Sequence, residues 1–123
     1  MRVMVLMKGE MSATGHLSDE KFVTEMMQYT EELVKSGVIL AGEGLYPSSK
    51  GARVKFSGGK TTVIDGPFTE AKELVAGFWL WQVKSMDEAV EWVKRFPKPA
   101  GVEEREIEIR PVFEQENVAN DKN

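Results

Sequence analysis

The segment from Asp65 to Glu73, with the sequence D-G-P-F-T-E-A-K-E, concentrates side chains that suit proton transfer. Asp65 follows a predicted strand, and a carboxylate that faces a pocket there can act as a general acid or base. Burial would have to raise its pKa for it to do so near neutral pH. Alternatively, Asp-Gly-Pro favours a turn in which the Asp65 carboxylate accepts hydrogen bonds from the amides of residues 68–69. The residue types leave both interpretations open.

Two more carboxylates and a lysine follow in the same segment. The proline can begin a short helix over residues 68–73, on which Glu70 and Glu73 share a face while Lys72 projects elsewhere. Beside Asp65, the two glutamates could share a proton or hold a cation. The alternative is a solvated short helix whose charges take no part in chemistry.

Four charged or titratable residues outside this segment are further candidates. Glu43 lies between two glycines, which either let the backbone approach a ligand or form a bulge with Glu43 pointing outward. His16 titrates near neutral pH and could form a dyad with Asp65 if its loop folds over the pocket, although a lone loop histidine is often inert. Arg53 and Lys55 share a strand face and could bind an anionic substrate, or could be exposed charges.

The elements that must position these residues follow from hydrophobic periodicity and turn residues. Two strands are apolar on both faces, which predicts central positions in a sheet, and a third alternates as an edge strand does. Gly58-Gly59 predicts a hairpin, and the S-x-x-E pattern at residues 85–88 predicts a helix N-terminus. The predicted elements are strands at Arg2–Lys8, Val38–Tyr46, Arg53–Ser57, Lys60–Ile64, Ala76–Lys84 and Arg105–Phe113, with helices at Asp19–Ser36 and after Ser85.

This order, β-α-β-(hairpin insert)-β-α-β, is the ferredoxin-like arrangement of an α+β domain with an antiparallel sheet. We expect a single domain over residues 1–113 and a polar, flexible tail over residues 114–123. Two helices cover only one face of such a sheet. Trp79 and Trp81 are too large to leave in water, so we expect them on the other face, buried in a homodimer. The alternative is that the hairpin insert or the tail covers them.

Composition excludes several classes of function. Sixteen Lys and Arg against twenty Asp and Glu leave a net charge of −4, which argues against direct binding of nucleic acid. The chain has no cysteine and one histidine, so thiol chemistry and Cys- or His-rich metal sites are excluded, and we expect no metal and no cofactor. No apolar run is long enough to span a bilayer, so we expect no membrane partner and a cytoplasmic location.

The pattern A-G-E-G-L-Y-P-S, then V-I-D-G-P-F-T-E-A-K-E, an aromatic strand and S-M-D-E-A-V-E-W resembles the DGPF-domain family of YCII-related proteins, over nearly the whole chain. The resemblance implies a dimeric α+β barrel in a bacterial protein. It also implies that Glu70 or Lys72 has a local role, such as an ion pair that fixes the loop. Better understood relatives use a His–Asp pair, for which this chain offers His16 and Asp65.

Two functions follow from this resemblance. The wider superfamily includes isomerases, lyases and monooxygenases, which implies a small-molecule enzyme that transfers a proton without a cofactor: an isomerase, lyase or hydrolase. Asp65 and His16 would then be catalytic, and Glu43, Arg53, Glu70, Lys72 and Glu73 would bind a small anionic substrate. Many members are encoded beside extracytoplasmic-function sigma factors. The alternative is therefore a non-catalytic dimeric module that binds a ligand or such a protein.

Overall fold

The sheet and its helices are arranged as the sequence predicts. A computed structural model describes residues 1–9, 20–70, 73–97 and 105–114. These residues form strands β1 (Arg2–Lys8), β2 (Ile39–Gly44), β3 (Ala52–Ser57), β4 (Lys60–Asp65), β5 (Val75–Gln82) and β6 (Ile107–Pro111), with helices α1 (Glu20–Lys35) and α2 (Met86–Lys94).

The main sheet has the strand order β2-β5-β1-β6, and every neighbouring pair is antiparallel. This is the order of a ferredoxin-like α+β fold, so the predicted fold class is confirmed. The strands that are apolar on both faces, β1 and β5, are central, and β6 is an edge strand, as their residue patterns predict.

Both helices pack on one face of this sheet through a few buried side chains. Tyr29 and Leu33 of α1 are buried, and the Tyr29 hydroxyl donates a hydrogen bond to the Trp92 carbonyl of α2 at 2.5 Å. At the start of α2, the Ser85 hydroxyl accepts from the Glu88 amide at 3.1 Å. The Glu88 carboxylate accepts from the Lys84 amide at 2.7 Å, one residue before the position that the predicted capping box requires.

The core under the helices contains the two tryptophans. Val3 is paired with Trp81 and Val5 with Trp79, and Trp81 is fully buried while Trp79 is 8% exposed. The Trp79 ring centroid lies 5.7 Å from that of Tyr29 on α1. The expectation that the tryptophans lie on the face without helices is therefore wrong. Strand alternation shows which residues share a face, but it does not show which of the two faces the helices cover.

The opposite face of the sheet carries a smaller apolar strip. The strand register places Met4 and Leu6 of β1 beside Leu80 and Phe78 of β5 on this face, and all four side chains are partly exposed. We call it the open sheet face. Its central residues are apolar and no described element packs over them, so the need for a covering partner applies to these residues and not to the tryptophans.

Strands β3 and β4 form a separate two-stranded sheet. Gly58 and Gly59 at its turn have φ values of +58° and +77°, so both adopt the left-handed conformation that two-residue hairpins favour. The predicted hairpin is confirmed. The predicted short helix over residues 68–73 is not formed at residues 68–70. The Phe68 amide donates to the Ser48 hydroxyl, and the Glu73 amide donates to the Glu70 carbonyl at 2.9 Å.

Three features predicted from the sequence fall outside the described residues. They are His16, Lys72 and residues 115–123 of the predicted flexible tail. Neither of the described helices is long and apolar enough to cross a membrane.

Candidate functional site

A single 3-10 turn, Ser48–Lys50, connects the end of β2 to the hairpin and contacts the D-G-P-F segment at two points. The Ser48 hydroxyl accepts a hydrogen bond from the Phe68 amide at 3.1 Å, and the Gly51 carbonyl accepts from the Gly66 amide at 3.0 Å. A Cβ atom at Gly66 would collide with the Ser48 carbonyl oxygen. Glycine at this position therefore permits the close approach of the two segments.

Arg53, the second residue of β3, joins the hairpin to the same segment. Its guanidinium lies over the Phe68 ring, 3.8 Å from the ring centroid, which is within the range of a cation–π contact. Its Nη2 also lies 3.4 Å from Oε2 of Glu73. Arg53 and Glu73 are 42% and 59% exposed, so this ion pair is open to solvent. The two contacts hold a cation in place while leaving part of it accessible.

These residues line a groove of about 480 Å³ between the turn, the start of β3 and the chain leading into β5. Most of its wall is apolar, and Lys50, Arg53 and Glu73 supply the charges. An apolar cleft with a few polar groups that converge on it is the usual form of a small-molecule site. The apolar residues of the groove are Leu45, Tyr46, Pro47, Phe68, Leu74 and Val75.

Asp65 is exposed and does not line this groove. Asp65 is paired with Ala52 across the hairpin, whereas Arg53 is paired with Ile64, so Asp65 and Arg53 point to opposite faces. The turn interpretation predicts that the Phe68 amide donates to the Asp65 carboxylate. In the structure this amide donates to the Ser48 hydroxyl instead. Within the described residues, the Asp65 carboxylate is neither buried in a pocket nor hydrogen-bonded in a turn.

The other predicted site residues are distributed over three places. Arg53 and Glu73 meet in the groove, and Lys55 shares the strand face of Arg53 one alternation further along β3. Glu70 is exposed and does not line the groove. Glu43 is exposed on the open sheet face, where it is paired with Phe78. The structure therefore brings together two of the predicted residues, and His16 and Lys72 lie outside its described part.

Gly42, the glycine before Glu43, has a packing role. Gly42 is paired with Trp79 across β2 and β5, and a Cβ atom at Gly42 would collide with the Trp79 indole. The register shift in β2 lies between Ile39 and Ala41 and not at Glu43, so the predicted bulge is displaced toward the start of the strand. Gly42 thus makes room for a core side chain instead of a ligand.

Sequence reasoning missed the residues that build the groove around Arg53. Ser48, Tyr46 and Lys50 belong to the turn before β3, and their types gave no chemical signal. Phe68 belongs to the D-G-P-F pattern, but its residue type alone does not indicate contact with a cation. The available signal was the position of Arg53 at the start of β3 and of Phe68 three residues after the end of β4, since a hairpin brings its two ends together.

The first 114 residues match the model of the YCII-related domain. This chain belongs to the YCII-related domain family. An uncharacterised protein of Rhizobium meliloti (strain 1021) is 31% identical over 101 residues, which cover 82% of this chain and 81% of that protein. Within this YCII-related domain, the groove around Arg53 is built from residues 45–75 with Gly9, inside the matched range.

One further group of charges lies at the edge of the open sheet face. The Arg110 and Lys8 cations hold the pKa of Glu108 below its usual value, chiefly through the hydrogen bond from Arg110. In the same way, Arg2 lowers the pKa of Glu114. Within the described residues, no group of three or more His, Asp or Glu side chains is placed to hold a metal ion.

Proposed function

We propose that this YCII-related protein binds a small organic anion in the groove, with Arg53 as its charged anchor. The observation that carries the proposal is the arrangement of Arg53, whose guanidinium is fixed against the Phe68 ring while Glu73 occupies one of its N–H edges. A guanidinium donates to a carboxylate through two parallel N–H groups, which gives both affinity and orientation.

The pairing of Arg53 with Glu73 is compatible with ligand exchange. An exposed ion pair contributes about 0–1 kcal/mol, so a carboxylate of the ligand can replace or share the position of Glu73 at little cost. The apolar walls formed by Tyr46 and Leu74 would contact the remainder of the ligand. The groove volume lies within the range of about 300–1,000 Å³ that small-molecule sites occupy.

Binding is better supported than proton transfer by Asp65. A general acid or base has to reach the proton that it transfers, and Asp65 lies on the other face of the hairpin from Arg53 in the same protomer. We therefore propose a ligand-binding module and assign no catalytic step to this groove.

We also propose that the protein is a homodimer whose protomers meet through their open sheet faces. The apolar side chains of Met4, Leu6, Phe78 and Leu80 support this, because a contiguous apolar surface of a sheet is a typical contact between subunits. Around this strip, Arg2, Glu108 and Arg110 supply the charges of a polar rim.

The ligand proposal is tested by titration calorimetry with benzoate and short aliphatic carboxylates, and with benzamide as the uncharged counterpart of benzoate. We expect saturable binding of at least one carboxylate, no binding of benzamide, and at least a tenfold loss of affinity in Arg53→Gln. Lys55→Gln is the matched control, because it removes a charge from the same strand face. Equal affinities for Arg53→Gln and Lys55→Gln, or no binding by any of the carboxylates, would contradict the proposal.

A further inference from the structure

The β3–β4 hairpin has one apolar face that nothing in the described chain covers. All residues of both strands are exposed, and the exposed fractions of Val54, Phe56 and Val63 are 52%, 77% and 65%. The register places these three side chains on one face, which we call the hairpin face; its members are Ala52, Val54, Phe56, Thr61, Val63 and Asp65. The other face carries Arg53 and Lys55.

A two-stranded hairpin alone is marginally stable in water. This hairpin forms no strand pairing with the four-stranded sheet in the described residues. Val54, Phe56 and Val63 share one face, whereas the other face carries Arg53, Lys55 and Lys60, with Ile64 as its one large apolar residue. A strand pair with one mainly apolar and one mainly polar face typically packs against a second layer. The hairpin face is therefore an interaction surface, and the partner must present a flat apolar surface of similar size.

We propose that the hairpin face docks on the open sheet face of a second copy of this chain, and that two-fold symmetry makes the exchange reciprocal. The inference rests on the homodimer proposed above and assigns the hairpin a place in it. Two sheets pack face to face about 10 Å apart through apolar side chains, and both surfaces here have that character. In each protomer, one partner would then cover both the hairpin face and the open sheet face.

The size of the open sheet face supports a second copy as the occupant. By strand alternation it offers about ten residues, whereas a standard stable interface uses about 20–30 residues from each partner. The hairpin face adds its six members to each side. The open sheet face alone offers fewer residues than a standard interface, and the hairpin face would bring the contribution of each protomer closer to that number.

Charge also favours this occupant. Asp65 is the single charged residue on the hairpin face. The open sheet face carries Arg110 on its edge strand, where the Arg110 side chain is 69% exposed and forms an ion pair with Glu108. A docked Asp65 would share Arg110 with Glu108 at this polar rim, which gives the aspartate of the D-G-P-F motif an interfacial role in place of the pocket role that its sequence position suggested.

Cross-linking of single-cysteine variants tests the inference, because the chain has no cysteine of its own. Val63→Cys protein carrying a size tag is mixed with untagged Leu80→Cys protein and treated with a short bismaleimide. With one cysteine in each chain, a product of mixed size can form only between two protomers. Ala41→Cys replaces Leu80→Cys in a second series, since Ala41 is exposed on the same face and its substitution leaves the core intact.

We expect a mixed dimer with Val63→Cys in both series. With Thr62→Cys, which lies at the neighbouring position on the opposite face of the hairpin, we expect the yield of mixed dimer to be at least tenfold lower. If sedimentation shows a dimer without the mixed product, or if Val63→Cys reacts only with itself, the hairpin inference is overturned while the sheet-face dimer stands. If the wild-type protein sediments as a monomer throughout the micromolar range, both are overturned. Ligand binding at Arg53 is independent of either outcome.

Discussion

The central carbon of the Arg53 guanidinium lies over the Phe68 ring, 3.8 Å from its centroid, and this contact joins the hairpin to the D-G-P-F segment. The contact with Phe68 limits the directions that the guanidinium can take, and Oε2 of Glu73 lies 3.4 Å from its Nη2. A cation held in this way loses less conformational freedom when an anion binds than a free surface arginine would. The relationship between Arg53 and Phe68 is therefore the basis of the proposed anion site.

The hydrogen bond from the Phe68 amide to the Ser48 hydroxyl should help to hold this segment in place. Ser48→Ala leaves the amide without that acceptor and should lower the free energy of unfolding by about 1 kcal/mol. Exchange of the Phe68 amide proton should become faster at the same time. Ser49→Ala is the matched control at the neighbouring exposed position, with a change within about 0.5 kcal/mol. Equal effects of both substitutions in urea denaturation would contradict this account.

Gly42→Ala should destabilise the sheet because the new methyl group enters the space of the Trp79 indole. Overpacking of this kind costs about 1–3 kcal/mol. Gly44→Ala in the same strand should be close to neutral, since no atom lies within 4 Å of a Cβ atom at Gly44. Urea denaturation of the two variants provides the measurement, and a loss at Gly44 as large as that at Gly42 would refute the packing argument.

Ser85→Ala removes the side-chain acceptor for the Glu88 amide at the start of α2. We expect a loss of about 1 kcal/mol in the free energy of unfolding. Ser85→Asp should restore most of this loss, because aspartate is an equally good N-cap and its charge suits a helix N-terminus. Thermal denaturation of the three proteins checks this prediction. Failure of Asp to rescue would show that Ser85 acts through something other than the cap.

Glu108 should contribute to stability in a pH-dependent way, because Arg110 and Lys8 hold its pKa in the folded protein below the usual 4.5. A carboxyl group with a lowered pKa in the folded state stabilises that state above its unfolded pKa. The contribution is lost as the pH falls through the folded pKa. Wild type should therefore be more stable than Glu108→Gln at pH 6, and the difference should shrink below pH 4.5.

Urea denaturation at a series of pH values measures this difference. Glu106→Gln serves as the control on the same strand end, since the Glu106 side chain forms no ion pair in the described residues. A stability difference between wild type and Glu108→Gln that grew as the pH fell would contradict the sign of the argument.

The fold was predictable from local sequence signals. Gly58-Gly59 identified the hairpin, and Ser85 identified the start of α2, because each signal acts within a few residues of the chain. The direction of the tryptophans was not predictable in this way. Trp79 and Trp81 had to lie on the same face of β5, but the face that the helices cover depends on how the elements connect in space.

The candidate site was predictable only in part, for a related reason. Arg53 and Glu73 could be chosen from their charges, yet their meeting depends on the contact between the Ser48 turn and the Phe68 segment. Asp65 had the most suggestive sequence context of all. A single step of strand alternation places it on the opposite face from Arg53, and the exact end of a strand is what sequence patterns define least well.

The central claim is that Arg53 anchors a small organic anion, and nitrogen-15 NMR of its side chain tests this most directly. The Arg53 Nε–Hε signal, assigned by its loss in Arg53→Lys, is followed during titration with a carboxylate that binds in calorimetry. We expect saturable changes in the chemical shifts of this signal and of the Ser48 and Phe68 amides. The chemical shift of the Glu43 amide, on the open sheet face, should stay unchanged. A stationary Arg53 signal at saturating ligand, or shifts confined to another surface, would contradict the account.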